Sequence, residues 1–256
     1  MPTSISSILH RLQPMTKIIL TGATGTAGSA ILSAALSSPR ISHVTVLGRR
    51  APPVESEKLT SLLLPSEEWG SFDAINPALV ERLRGYDAVI WALGAMRTQV
   101  QAGEYEPITR DFTLEGARAF AALGTADKPL RFVFITSMGV SQAPGWFAPA
   151  YVRVKGETEA ALRRAEGIRA VFVHPGGILA TEERRPELIW YNRVILDALS
   201  YVWPSGVIHA TKLAQACLRL ATGEGWELRN PEGAVENDDL KRLALGYEGS
   251  PDPGSE

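Results

Sequence analysis

The sequence predicts an α/β fold in which a doubly wound, mostly parallel sheet carries helices on both faces and a small C-terminal extension on the substrate side. Two observations predict it. Short apolar, β-branched runs alternate with longer helical runs from Lys17 to about Ile178, an order that builds a parallel sheet. The strand runs are also continuously apolar rather than alternating, which suits strands covered on both faces.

Lys17-Ile18-Ile19-Leu20 reads as the first strand and runs into Thr21-Gly22-Ala23-Thr24-Gly25-Thr26-Ala27-Gly28. Ala30 to Leu36 then supplies a small-residue helix, and Val44-Thr45-Val46-Leu47 a second strand. The pattern weakens over 51–75, where one edge strand is expected between Leu59 and Asp73. Pro77 to Leu83 reads as helix, Asp87 to Ala92 as strand, Glu106 to Leu123 as helix and Phe132 to Thr136 as strand. Pro149 to Ala165 is helical and closed by Gly167, and Ala170 to Val173 is the next strand. Beyond Ile178 the alternation loosens: Leu188 to Ala198 and Lys212 to Ala221 read as helices, and Trp226-Glu227-Leu228-Arg229 as a late strand.

The expected organisation is one domain over 17–245, its substrate-side elements drawn mainly from 179–245, with a disordered tail over 246–256. Residues 1–16 form a leader. Ile5, Ile8, Leu9 and Leu12 fall at loosely helical spacing, and no Asp or Glu precedes Glu55, as in a mitochondrial transit segment. His10 and Arg11 break the apolar core a signal peptide needs, and a frayed leader explains the composition equally well.

Of 256 residues, 45% are hydrophobic and 21% charged, and the net charge is −2. That is an ordinary globular composition with no global field directed at nucleic acid. No apolar run reaches the roughly 18 residues of a membrane span. The one cysteine, Cys217, excludes an intrachain disulfide and a cysteine metal cluster, and fits a reducing compartment. His10, His43, His174 and His209 show no metal-ligand spacing. The expected location is the cytoplasm, with the mitochondrial surface as runner-up.

The glycine loop sits between a strand and a helix, the setting in which such a loop binds a dinucleotide on a Rossmann-type fold. Gly22 would permit the tight turn, Gly25 let the backbone approach the pyrophosphate, and Gly28 allow close helix–strand packing. Thr24, Thr26 and Ala27 complete the cradle, and the helix N-terminus presents N–H groups to the phosphates. An NAD site usually places an acid on the ribose about 20 residues on; here that place holds Gly48-Arg49-Arg50. A guanidinium pairs with a 2′-phosphate that a carboxylate would repel, so NADP(H) is the expected cofactor. Arg50 is the weaker of the two candidates. Ala92-Leu93-Gly94 ends another strand with small residues, where an adenosine ribose can lie against the backbone.

Tyr151 and Lys155 stand four apart on a predicted helix and share a face. Thr136-Ser137 ends the strand before them, so a hydroxyl and the Tyr/Lys pair can converge where a nicotinamide would lie. Tyr151 would be general acid or base, Lys155 would stabilise its phenolate, and Ser137 would donate to the substrate oxygen. Thr136 rivals Ser137, but one step back it faces the other way. His174, at a strand end, reads either as a site residue or as a satisfied structural histidine.

Taken together, these motifs resemble the short-chain dehydrogenase/reductase superfamily, and more closely its atypical branch typified by the Tat-interacting metastasis suppressor, to which fungal mitochondrial-surface proteins also belong. The resemblance runs from about Lys17 to Ala221. It rests on Thr21 to Gly28, Leu47-Gly48-Arg49-Arg50, Ala92-Leu93-Gly94, Arg110-Asp111, Thr136-Ser137, Tyr151 to Glu157 and Pro175-Gly176-Gly177-Ile178. It implies an NADP(H)-binding fold with Ser137, Tyr151 and Lys155 in the catalytic positions. It also implies that Pro175, Gly176, Gly177 and Ile178 pass beside the nicotinamide, whose ribose hydroxyls Lys155 would hold on the chemistry of the pair itself. The wider superfamily often completes a proton relay with an Asn on the central helix, where this chain has Arg110-Asp111. A homodimer is implied by the resemblance alone.

Met138 to Pro149, with Trp146 and Phe147, and the group Trp190, Tyr191, Tyr201 and Trp203 supply aromatic rings near the site. They read either as the wall of a pocket for a hydrophobic small molecule or as packing and interface rings. The function expected is NADP(H)-dependent hydride transfer to or from a small or medium hydrophobic carbonyl or alcohol. Its rivals are a non-redox isomerase, epimerase or lyase on the same fold, and an NADPH-sensing module for protein partners.

Overall fold

The computed structural model describes residues 15–95, 100, 101, 103–181 and 201–246. Seven strands form the central sheet: β1 (Thr16–Thr21), β2 (Ile41–Gly48), β3 (Leu59–Leu63), β4 (Ala88–Trp91), β5 (Leu130–Ile135), β6 (Ile168–His174) and β7 (Ala234–Glu236). Their spatial order is β7-β6-β5-β4-β1-β2-β3, and every neighbouring pair is parallel. The chain therefore winds outward from β1 in one direction, returns, and winds from β4 in the other. The crevice between the carboxyl ends of β1 and β4 is the switch point where such sheets bind ligands.

The helices are α1 (Thr26–Ser37), α2 (Pro77–Arg82), α3 (Phe112–Phe120), α4 (Ala150–Arg164), α5 (Ala210–Thr222) and α6 (Asn237–Leu245). Successive strand residues point to opposite faces, and both faces are covered. Ile18, Leu20, Val44, Val46, Ala88, Ile90, Val133, Val171 and Val173 pack with α1 and α5 residues such as Ile31, Ala35, Leu213 and Cys217. Ile19, Val89, Trp91, Phe132, Phe134 and Phe172 turn the other way, toward Leu79, Ala117, Phe120 and Leu162. One face is thus paved with small and β-branched side chains, the other with rings. Trp91 stacks on Phe132 at 5.8 Å and meets Phe72 edge-on at 6.1 Å. α3 approaches this stack through Gly116, where a Cβ would lie 2.3 Å from the Trp91 ring.

Most sequence expectations correspond to these elements, and the edge strand falls at Leu59–Leu63. Three differ. The helix expected over Glu106 to Leu123 is divided into a π turn at Pro107–Asp111, α3, and a 3-10 turn at Ala121–Leu123. Trp226-Glu227-Leu228-Arg229 is not a strand; Trp226–Leu228 is a 3-10 turn. Gly225, at φ 75°, turns the chain there. The Trp226 indole N–H donates to the Leu220 carbonyl at 2.9 Å, and the guanidiniums of Arg169 and Arg229 lie 4.5 and 4.8 Å from the ring centre. The late strand comes eight residues on, at Ala234–Glu236, and α6 follows it with Asp238 and Asp239 in its first turn, where acids are favoured. The helix expected at Leu188 to Ala198 and nearly all of the tail lie outside the described residues.

Gly116→Val would force a branched side chain against a ring already held on two sides, at a cost of about 1–3 kcal/mol. At roughly 2–4 °C per kcal/mol for a chain of this size, thermal unfolding should show a fall of several degrees. An unchanged midpoint would mean that Trp91 has room to yield.

Candidate functional site

Because all seven strands are parallel, the segments after β1, β2, β4, β5 and β6 emerge at one edge of the sheet. The glycine loop is fixed there by contacts between backbones. A Cβ on Gly22, at φ 69°, would lie 2.4 Å from the Ala92 carbonyl oxygen, and one on Gly28 would lie 2.0 Å from the Gly22 oxygen. The first contact seats the loop against the end of β4; the second draws α1 onto the loop. Gly25 differs. Its Cβ would meet only the Gly22 oxygen, at 3.4 Å, and its backbone (φ −86°, ψ 173°) is one any residue adopts. It stands as N-cap of α1, with no side-chain cap and no acid in the first turn. The space over Gly25 and the helix N-terminus suit an anion brought from outside, so the loop fits a dinucleotide pyrophosphate.

Beside the loop lies a cleft of about 170 Å³, lined by Gly22, Ala23, Thr24, Val46, Gly48, Arg49, Arg50, Phe72, Leu93, Gly94, Ala95, Val100, Ile108 and Phe112. Among the described residues its charged lining consists of Arg49 and Arg50. Both are exposed at the end of β2, and no carboxylate among the described residues lines the cleft with them. Leu93 N–H donates to Thr21 Oγ1 at 3.1 Å, which ties the end of β4 to the end of β1. Thr26 and Ala27 lie in the first turn of α1, where Ala27 packs toward the core.

At the end of β5, Thr136 and Ser137 face different ways. Thr136 Oγ1 donates to the Val173 carbonyl at 3.3 Å, whereas Ser137 Oγ accepts from Lys155 Nζ at 3.2 Å. Tyr151 sits in the first turn of α4, 42% exposed, and no residue among those described offers its hydroxyl a hydrogen bond. Gly156 explains how the segment before α4 approaches it, since a Cβ there would lie 2.1 Å from the Ser141 oxygen. Glu232 clamps the base of that segment: its carboxylate accepts from Ser141 Oγ and Gln142 N, both at 3.2 Å, and its carbonyl from Gln142 Nε2 at 2.6 Å. The tip carries Trp146 and Phe147, 89% and 96% exposed. Tyr201 and Trp203 are exposed as well, while Trp190 and Tyr191 lie outside the described residues.

The turn after β6 begins with buried Pro175. Asn237, at the start of α6, accepts from Gly176 N–H at 2.8 Å and donates to the carbonyls of Ser205 (2.6 Å) and Val207 (3.1 Å). Gly177–Leu179, which includes Ile178, then pairs in parallel with Val207–His209. Arg110, on the π turn, pairs with Asp111 at 2.9 Å and reaches Glu157 of α4 at 3.8 Å. Glu232 and Asn237 escape a reading of the sequence, since each works through partners distant along the chain.

A family model described as NAD(P)H-binding matches residues 22–222, a span that holds the loop, the cleft and the Ser137–Lys155 contact. The chain belongs to the NAD(P)H-binding family. Protein HTATIP2 of Rattus norvegicus is 26% identical over 74% of this chain and 74% of its own length. The protein fmp52, mitochondrial, of Aspergillus clavatus is 30% identical over 67% of this chain and 71% of its own. Among solved structures, an oxidoreductase of the short-chain dehydrogenase/reductase family from Burkholderia thailandensis matches with a TM-score of 0.63 at 17% identity, covering 91% of this chain and 94% of that one. The Bordetella bronchiseptica enzyme WbmF, in complex with NAD+, matches with a TM-score of 0.61 at 14% identity, covering 91% and 77%. The resemblance and the fold class read from the motifs are borne out. Among the described residues of this family member, no helix is long and apolar enough to cross a membrane.

The NAD(P)H-binding chain holds unusual charges behind the Ser137–Lys155 contact. Burial lowers the Lys155 pKa to about 8 against the opposing pull of Glu159, a discrimination of roughly 3 kcal/mol against the ammonium. His174, 1% exposed, lies between two carboxylates: Nε2 is 3.0 Å from Glu159 Oε1 and Nδ1 is 3.1 Å from Glu236 Oε1. Burial alone would lower the imidazole's pKa, but the hydrogen bond and charge of Glu159, with Glu236 behind them, raise it.

Filling Gly25 should separate folding from ligand binding. Gly25→Ser supplies an N-cap hydroxyl and removes the backbone freedom of glycine, so the unfolding midpoint should hold or rise slightly while affinity for NAD(P)H falls about tenfold or more. Loss of stability instead would show that the fold itself requires this glycine. The two shifted groups also set opposite pH slopes. His174 binds its proton more tightly when folded, so its contribution is complete below about pH 6.5 and disappears as pH rises through the raised value. Lys155 binds its proton more weakly when folded, so its penalty is relieved from about pH 8 to the unfolded value near 10.4. Urea midpoints from pH 6 to 10 should therefore dip and recover, and His174→Gln should remove the dip. Identical curves for the two proteins would contradict the charge assigned to His174.

Proposed function

We propose that this chain is an NADP(H)-dependent oxidoreductase acting on a small or medium hydrophobic carbonyl or alcohol. The observation that carries the reading is the Lys155 Nζ to Ser137 Oγ contact at 3.2 Å, with Tyr151 one turn earlier on α4 and its hydroxyl without a partner among the described residues. The pair lies at the same sheet edge as Gly25 and Arg49. Backbone groups from Gly22 to Gly28 and the N-terminus of α1 would hold the pyrophosphate. Arg49, with Arg50 beside it, would take the 2′-phosphate; Ala92, Leu93 and Gly94 would lie along the adenosine ribose. Lys155 would hold the second ribose, and Pro175, Gly176, Gly177 and Ile178 would border the nicotinamide. When bound, the dinucleotide supplies or accepts the hydride.

The rest of the chemistry belongs to the chain. Ser137 Oγ accepts from Lys155, which leaves its own hydrogen to donate to a substrate oxygen as charge builds there. Tyr151 gives a proton to that oxygen or takes one from it. Lys155, poised near pH 8 by burial, stabilises the phenolate and returns its proton. Trp146 and Phe147, held out by the Glu232 clamp, suit an aromatic or apolar substrate body.

The near-complete exposure of those two rings is also the one support for a second reading, a dinucleotide-ordered surface for protein partners. One set of measurements separates the two. NADPH should bind at least about tenfold tighter than NADH, some 1.4 kcal/mol, and Arg49→Ala should erase the difference. Tyr151→Phe should lower turnover of a screened aromatic carbonyl by about 10²–10⁴ with nucleotide affinity largely kept. Turnover that survives Tyr151→Phe ends the assignment of Tyr151. Partner association that survives it, yet weakens when Gly25 is filled, favours the second reading. Product formed with no change in nicotinamide absorbance would point to isomerase, epimerase or lyase chemistry.

A further inference from the structure

One helical turn beyond Lys155 stands a carboxylate with no exposure at all. Glu159 follows Lys155 by four residues on α4, so both side chains leave the same face. Its Oε1 is engaged by His174 Nε2, and its Oε2 is buried with no hydrogen-bond partner among the described residues. His174 leads on to Glu236, whose side chain is 43% exposed and whose Oε1 also accepts from Asn230 Nδ2 at 3.0 Å. Polar groups thus run from solvent through Glu236, His174 and Glu159 toward Lys155.

The fold does not require this line of charges. The other buried positions of α4 are Val152, Val154, Gly156, Thr158 and Leu162, and a leucine at 159 would avoid the several kcal/mol lost when a carboxylate is buried with an unmet oxygen. The imidazole between two carboxylates is equally telling. A neutral imidazole has one N–H and serves one of them, whereas the imidazolium serves both. If Nε2 gives its proton to Glu159, Nδ1 is left beside a half-exposed group through which a replacement can come.

We propose that Glu236, His174 and Glu159 carry protons between solvent and Lys155, replacing through the protein interior each proton that Tyr151 gives up. The proposal rests on the reading of Tyr151 and Lys155 as the proton-transfer pair. In the reducing direction the Tyr151 O–H bond breaks and its proton goes to the substrate oxygen. The Lys155 ammonium reprotonates the phenolate. From the neutral ring with its hydrogen on Nε2, a proton from water by way of Glu236 adds at Nδ1 as Nε2 passes its own to Glu159 Oε1; the carboxyl turns to hand that O–H proton to Lys155, and the ring returns to its Nε2–H tautomer before the next turnover. One proton enters for each that leaves, and oxidation runs the same steps backwards. Lys155 Nζ points its hydrogen bond at Ser137, so a bridging water or a swing of the lysine spans the step to Glu159. Burial that brings Lys155 to about 8 lets it lose and regain a proton near neutral pH.

The test has one arm that needs no turnover. The imidazole nitrogens of His174 are titrated by ¹⁵N NMR in the wild-type chain and in Lys155→Met, the signal being assigned by its absence from His174→Gln. Removing the positive charge on the far side of Glu159 should raise the His174 titration by about half a unit or more; identical titrations overturn the proposal. In the second arm, kcat is followed against pH for the wild type, Tyr151→Phe, His174→Gln and Glu236→Gln. The last two should lose about tenfold or more in kcat, with an enlarged solvent deuterium isotope effect and an unchanged KM for nucleotide. If both keep wild-type rates and profiles while Tyr151→Phe is inactive, the path is refuted and the catalytic reading stands. If Tyr151→Phe retains turnover, the catalytic reading fails and the path fails with it. Should His174→Gln not fold, Glu236→Gln, altered at a half-exposed position, carries the same decision.

Discussion

No carbon atom fits between the backbone of Gly22 and that of Ala92, and the site depends on that closeness. The contact locks the loop after β1 to the end of β4, at the place where the winding of the sheet reverses. Gly28 repeats the constraint one layer out, drawing α1 down until its first turn faces the crevice. With the loop set here, parallel pairing brings Arg49, Gly94, Ser137 and the Pro175 turn to the same edge. A fold with an antiparallel neighbour in the middle would have sent one of these segments to the opposite end.

Around this frame the chain concentrates its least favourable charges in one place. An ammonium held near pH 8, a fully buried carboxylate with an unmet oxygen, and an imidazole between two acids all adjoin α4. The ammonium and the carboxylate oppose folding. They are tolerated because two apolar clusters, one on each face of a seven-stranded sheet, supply far more hydrophobic stabilisation than a few such groups remove. Among the described residues, surface pairs such as Arg84 with Glu81 contribute little.

The frame was legible because it is local. Strands covered on both faces leave unbroken apolar runs, and the glycine loop declares itself by spacing. The late elements were not. β7 is three residues long, and α6 opens with Asn237, Asp238 and Asp239, which read as loop. Trp226 and Leu228 have strand-forming side chains, yet the indole is needed beneath two guanidiniums, and that tertiary demand prevails. Within the site, Ser137, Tyr151 and Lys155 were nameable from spacing, and the Ser137–Lys155 contact is present. Glu159 left a fainter trace: Tyr151, Lys155, Glu159 and Leu162 follow one helical stripe, so a carboxylate sits where the pattern calls for an apolar residue. What it meets there, His174 and beyond it Glu236, lies on strands that spacing along one helix cannot reveal.

The unequal faces of the sheet carry a consequence for ligand entropy. α1 lies on the face paved with Val, Ile and Ala, and its own contribution is largely alanine, with Ile31 and Leu32 between. Short side chains bring the helix axis close to the sheet and leave no long, flexible arms to take up a shift; moving α1 by even one ångström would open voids along its whole length. The amide groups at its N-terminus are therefore held in place before anything arrives. A phosphate group that binds there need not order its own receptor, and the conformational freedom lost on association is confined to the ligand.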